Sequence, residues 1–187
     1  MNNFFITGLP RSRTTWLANF FTHANSYCFH ELGGMADTYI KLRDVMRTKR
    51  EGYVGTADSS LPYYFEDLVQ GKTEFRLAII ERDISDVYNS FSDWYGDSFD
   101  EKKILSLLED LRAKLEYMKL KYNPLVLQFE DLNDEKKMEQ LWSHCIPGLR
   151  FDADRYKMLN QMKIEPVREG YFSPKKVKNV QSIMGEL

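Results

Sequence analysis

Three short runs of this sequence carry side chains whose types and spacing could do chemistry: "TGLPRSRTTWL" from Thr7, "YCFHELGG" from Tyr27 and "ERDISDVYNSF" from Glu81. In the first, Arg11 and Arg13 flank Ser12, and Thr14 and Thr15 open an apolar helix. Two guanidinium groups, hydroxyls and the free N–H groups of a helix N-terminus together favour a bound anion. The competing reading is that Thr14 and Thr15 only cap the helix while the arginines are solvated. The run is not a triphosphate loop of the G-x-x-x-x-G-K-[ST] type. Laid from Gly8, that pattern finds Arg13 in place of its second glycine and Thr14 in place of its lysine. In the last run, Arg82 follows an apolar strand and Ser90 lies about two helical turns beyond it, an economical second phosphate site. An ordinary surface ion pair of Arg82 with Asp83 or Asp86 is the alternative there. In the middle run, His30 and Glu31 are titratable groups ending a strand, either of which could act as a general base. They could equally be a structural hydrogen-bonding histidine and a loop carboxylate.

The elements that must position these groups follow from the apolar pattern. Short β-rich runs fall at residues 3–7, 27–30, 53–56, 75–81 and 125–129. Helical patterns fall between and after them, at 14–23, 36–49, 62–70, 84–94, 101–122, 134–144 and 152–161. The longest is marked by Ile104, Leu108, Leu111, Leu115, Met118 and Tyr122 at i, i+3/i+4 spacing. Asn133 is the expected cap of the helix that follows it, with Asp134 and Glu135 in the opening turn. Strands alternating with helices predict a mostly parallel sheet covered on both faces, a three-layer α/β sandwich like that of the P-loop NTPases. In such sheets ligands bind beyond the carboxyl ends of the strands, which is where all three runs fall. We expect one domain over residues 1–187, with 166–187 a loosely held tail that includes Lys175, Lys176 and Lys178.

Composition narrows the function classes. The 187 residues are 43% hydrophobic and 29% charged, ordinary for a globular domain. The net charge of −2 offers no global basic field for nucleic acid, so any anion site must be local. Cys28 and Cys145 have no metal-binding spacing and are too few for a disulfide framework. The start of the chain lacks a basic, then apolar, leader, and no run reaches membrane-spanning length, so the expectation is a cytoplasmic protein without a membrane anchor.

Taken together, the runs resemble the sulfotransferases that use 3′-phosphoadenosine 5′-phosphosulfate (PAPS). "TGLPRSRTTWL" looks like their 5′-phosphosulfate loop, and "ERDISDVYNSF" is similar to their 3′-phosphate signature. "PLVLQFEDLNDE…LWSHCIPGLRFD" resembles a later family segment, and the likeness runs in order from residue 3 to about 160. The resemblance implies that Ser12, Thr14 and Thr15 hold the 5′-phosphate while Arg82 and Ser90 hold the 3′-phosphate. It makes Trp16 a candidate to flank the adenine, a buried helix tryptophan being the alternative. Arg13 replaces a glycine of the family loop; it costs backbone freedom if φ there is positive, and otherwise adds an anion contact.

Two further departures concern catalysis. The cytosolic family members carry a histidine where "DSSLP" has Ser60, whereas other branches place a glutamate after the second strand, where this chain has Glu31. The C-terminal Arg-Lys-Gly element of the cytosolic members is only echoed by Arg168-Glu169-Gly170. The chain is also short for the family, so the acceptor site is expected to be open or completed by another subunit of a homo-oligomer. The implied reaction is in-line sulfuryl transfer from PAPS to an acceptor hydroxyl, leaving PAP, with Glu31 as base, His30 assisting, Arg11 neutralising the leaving oxygen, and no metal. If the strand continues through His30, alternation predicts that His30 and Glu31 point to opposite sides, leaving only one of them facing the donor. The rival classes are a P-loop nucleotide kinase using ATP and Mg²⁺, and a nucleotide-binding module without catalysis.

Overall fold

The computed structural model describes residues 2–31, 44, 52–71, 74–95 and 100–162. Five strands form one sheet: β1 Asn3–Gly8, β2 Ser26–His30, β3 Tyr53–Ala57, β4 Arg76–Glu81 and β5 Leu125–Gln128. Their order is β2-β3-β1-β4-β5 and every pairing is parallel. The helices are α1 Thr14–Phe21, α2 Phe65–Val69, α3 Ile84–Tyr95, α4 Glu101–Tyr122, α5 Glu135–Cys145 and α6 Ala153–Gln161. The expected α/β sandwich with a parallel sheet is thus the observed one. No described helix is long and apolar enough to cross a membrane.

The layering follows from strand alternation. All six residues of β1 are buried. Phe4 and Ile6 face a core built by α1, α5 and α6 with Phe20, Phe21 and Trp142. Phe5, one position out of phase, faces the other core with Leu61, Leu68, Ile79 and Leu111. A strand buried on both faces must be apolar at both parities, which is why β1 and β4 read as continuous hydrophobic runs. Helix α4 contributes Leu108, Leu111, Leu115 and Met118 to the second core, the stripe that its spacing predicts.

Local differences from the sequence expectations have identifiable causes. The helix expected over 62–70 is broken into a 3₁₀ turn, Leu61–Tyr63, and the short α2. Asp134, not Asn133, caps α5, accepting from the Lys136 and Lys137 N–H groups at 2.8 and 3.2 Å. Asn133 instead ends a 3₁₀ turn, Phe129–Asn133, and its side chain is engaged elsewhere. The helix expected at 36–49, apart from Asp44, and the residues after 162 lie outside the described residues.

The sheet order reverses direction at β1, so the crevice beyond its carboxyl end is the place for a ligand. Gly8 stands at that end, in register with Ile80 of β4. A Cβ on Gly8 would collide with the Ile80 carbonyl oxygen. Gly8→Ala is therefore expected to destabilise the protein by about 1–3 kcal/mol, the usual cost of overpacking. Urea denaturation measures this; an unchanged midpoint would show that the two strand ends separate at no cost.

Candidate functional site

The loop between β1 and α1 has an unusual backbone. Arg11 and Arg13 both adopt positive φ, 66° and 60°, on either side of Ser12. Left-handed residues cost about 1–2 kcal/mol each when they are not glycine, and successive N–H groups in such a turn converge into a concave anion nest. Arg13 is also the N-cap of α1, and no side chain caps that helix. Its first N–H groups therefore point outward without a side-chain acceptor. The capping role considered for Thr14 and Thr15 is not the one they take.

Two buried polar atoms at this loop lack a hydrogen-bond partner: the Ser12 hydroxyl and the Arg82 Nε. Buried polar groups are nearly always paired, so two orphans beside one loop mark a place for an acceptor-rich ligand. Arg82 leaves the end of β4 and donates from a terminal nitrogen to the Arg11 carbonyl. Its guanidinium lies over the Phe129 ring, 4.0 Å from the centroid. Burial pulls the Arg82 pKa below its ordinary value; Asp86 and Glu130 oppose this, and the nearby charge of Arg11 adds to it. Arg11 donates from Nε to the Ser90 hydroxyl at 2.9 Å. The loop and the β4–α3 turn are thus joined through one residue, and the Arg82–Ser90 pairing expected from sequence is brought together around Arg11. Asp83 is occupied at the start of α3, accepting from the Ser85 N–H at 2.7 Å.

The other wall of the crevice holds His30 and Glu31. Thr14 Oγ1 donates to Glu31 Oε1 at 3.2 Å. His30 Nε2 lies 3.2 Å from Thr14 Oγ1 and 3.0 Å from Thr15 Oγ1, and 3.6 Å from Glu31 Oε1. The expectation that these neighbours point to opposite sides is corrected here. Strand β2 ends at His30, and Glu31 turns into the left-handed region with φ 45°, which brings both side chains to the same threonines. Alternation holds only while the strand continues.

Ser60, which stands where the cytosolic sulfotransferases have a histidine, belongs to a different network. Its N–H and hydroxyl both donate to Asp58 Oδ1, at 2.8 and 2.6 Å. The Tyr64 hydroxyl donates to the other oxygen of the same carboxylate. Burial and the facing Asp58 hold the Tyr64 pKa well above its ordinary value, keeping it a donor. Ser59, next in line, donates to Glu31 Oε1 at 3.2 Å. The sequence reading does not include Asp58, Ser59 or Tyr64; the Asp-Ser-Ser run just past a strand is a turn signal that could find the first two.

Two of the sequence candidates sit differently. Trp16 is only 3% exposed, donates from Nε1 to the Leu159 carbonyl at 3.1 Å and stacks on Phe20. Its ring is a core group and offers no open face, so the reading of Trp16 as the adenine flank gives way to the buried helix tryptophan. Arg13 does not aim its charge at the loop. Its two terminal nitrogens donate to Asn133 Oδ1 at 3.1 Å and Asn160 Oδ1 at 2.9 Å.

No family model matches the chain, and no curated protein matches its sequence. Among solved structures, it is similar to the mouse sulfotransferase SULT7A1 complexed with PAP. The TM-score is 0.63 at 15% identity, over 99% of this chain and 84% of that one. At that identity the likeness concerns the fold, and the chain has a sulfotransferase-like α/β fold.

Asp58 supports the β3 side of the crevice by accepting three donors. Asp58→Ala leaves those donors, in a partly buried place, without their acceptor, at up to about 1–3 kcal/mol for each one that water does not reach. We expect a loss of about 1–3 kcal/mol by denaturant titration, and a smaller one for Asp58→Asn, which keeps an acceptor oxygen. Equal losses for the two variants would mean that packing, not hydrogen bonding, is what Asp58 supplies.

Proposed function

We propose that this protein transfers a sulfuryl group from PAPS to the hydroxyl of an acceptor molecule, releasing PAP. The observation that carries the proposal is the joining of two anion positions through Arg11, which suits a nucleotide with one phosphate at the 5′ and another at the 3′ position. The orphaned Ser12 hydroxyl and Arg82 Nε, with the uncapped start of α1, are donors such a ligand would satisfy. The sulfotransferase-like fold supports the same reading.

In this proposal the Ser12 and Thr15 hydroxyls, the Thr14 backbone N–H and the other loop N–H groups hold the 5′-phosphate, while Arg82 and Ser90 hold the 3′-phosphate. PAPS, when bound, supplies an activated sulfuryl group whose S–O bond to the 5′-phosphate breaks as the acceptor oxygen bonds to sulfur. Arg11 stabilises the negative charge left on the phosphate oxygen. Preorganised positive charge of this kind is commonly worth a hundredfold or more in rate. Glu31 takes the acceptor proton. Thr14 sends its single hydroxyl proton to Glu31, so the contact between Thr14 and His30 needs the proton on His30 Nε2. That tautomer makes His30 a donor at this point and leaves the carboxylate as the acceptor of protons.

The assignment of the two phosphates is tested by calorimetry with PAP, AMP and ATP. PAP is expected to bind best. Arg82→Ala should weaken PAP more than AMP, since it removes a charge-assisted contact worth roughly 1.5–3 kcal/mol. Equal affinity for PAP and AMP would refute the 3′ pocket, and preference for ATP would favour a nucleotide kinase.

The base is tested by radiolabelled sulfate transfer from PAPS to a panel of sugars, phenols and alcohols. Glu31→Gln should keep PAP affinity and lower turnover by roughly a hundredfold or more, the usual scale of a lost general base. His30→Ala should lower it much less. Normal turnover in Glu31→Gln together with an inactive His30→Ala would reverse the assignment. Failure of the unaltered protein to transfer to any acceptor, with PAP still binding, would favour a binding module.

A further inference from the structure

Arg13 is the one residue of the loop whose conformation costs backbone energy and whose charge is turned away from the phosphate positions. Its guanidinium carbon sits over Trp16, 4.4 Å from the ring centroid. Asn133 and Asn160 fix it there from two separate elements, the turn after β5 and helix α6. Asn160 is in turn tied to Tyr156, whose hydroxyl donates to the Leu132 carbonyl at 3.2 Å. A long, rotamer-rich side chain is thereby held in one orientation, with the indole on one face and part of its surface exposed. Burial lowers its pKa from the ordinary value, with Tyr156 acting the other way. A partly desolvated, planar cation held in place makes a strong partner for a π-face.

The 3₁₀ turn Phe129–Asn133 links this residue to the phosphate positions. Its first residue, Phe129, lies under the Arg82 guanidinium, and its last, Asn133, holds Arg13. A nucleotide anchored at Arg82 and at the start of α1 therefore has Arg13 as the planar surface beside it, because the Trp16 ring is already covered.

We infer that Arg13, held by Asn133 and Asn160 and backed by Trp16, is the platform on which the nucleobase stacks. The inference rests on the nucleotide reading above and adds a specificity-determining residue to it. The outer face of the guanidinium takes the purine, so a layered stack of base, Arg13 and Trp16 forms without Trp16 touching the ligand. The arginine thus replaces a glycine of the family loop with a functional side chain, at the cost of a left-handed backbone.

The test compares PAP with methyl riboside 3,5-bisphosphate, which keeps both phosphates and lacks the base. Arg13→Gly suits the left-handed backbone and removes the platform without adding strain; Arg13→Lys keeps the charge and removes the plane. The unaltered protein should bind PAP at least tenfold more tightly than the baseless compound. Both variants should lose most of that advantage while binding the baseless compound as before, which also shows that their loops are folded. Equal weakening of both ligands would make Arg13 an anion contact and overturn the inference, as would full PAP affinity in Arg13→Gly. If the unaltered protein binds both ligands alike, the platform fails while the two-phosphate site stands. If it binds neither, the nucleotide reading fails and takes the platform with it.

Discussion

The contact on which the crevice depends is the hand-over between Arg82 and Arg11. Arg82 donates to the Arg11 carbonyl, and Arg11 donates from Nε to Ser90. These bonds join the first strand-to-helix turn to the fourth strand and the helix after it. The carbonyl is available to Arg82 because Arg11 has φ 66°, a conformation that a non-glycine residue adopts at a cost. The charges of Arg11 and Arg82 repel each other across the same contact. An arrangement that concentrates positive charge and strained backbone in one place is stabilised by an anion, and its cost is borne by the two cores behind it.

Those cores explain why the strain can be held. β1 is buried on both faces, and its last residue, Gly8, meets β4 at a distance that admits no side chain. The turn starts from a fixed point, so the loop cannot relax by moving the strand. Three of the five described non-glycine residues with positive φ, Arg11, Arg13 and Glu31, belong to this crevice. Clustering of strain at one sheet end is the usual mark of a functional rather than a packing constraint.

The two walls of the crevice differ in chemistry. The β1–β4 side presents the guanidinium groups of Arg11 and Arg82, with the Arg82 Nε and the buried Ser12 hydroxyl lacking a hydrogen-bond partner. The β2–β3 side presents hydroxyls, an imidazole and a carboxylate linked to one another, with Ser59 and Thr14 both donating to Glu31. A carboxylate receiving two hydroxyls keeps a fixed orientation, which is what proton transfer to or from a bound hydroxyl requires. The pairing of a cationic wall with a proton-accepting wall is the physical basis of the proposed group transfer.

The layered fold was legible in the sequence because it depends on period and parity. Runs buried on both faces alternate with amphipathic helices, and hydrophobic patterning reports both locally. The anion loop was legible for a similar reason, since Arg11 to Thr15 lie side by side in the chain. What the sequence did not determine depends on residues far apart in it. The direction of Glu31 follows from a left-handed turn that ends β2, and strand alternation gives no sign of it. Ser60 answers to Asp58 rather than to the crevice because the turn after β3 folds back on its own carboxylate. Asn133 looked like a helix cap from its neighbours, yet Asp134 caps better and frees it for Arg13, 120 residues away in sequence. The burial of Trp16 was likewise decided only when α6 packed across α1 and supplied the Leu159 carbonyl to its N–H. Local pattern fixes which elements form and which faces they bury; only their packing sets which polar side chains meet at the sheet's end.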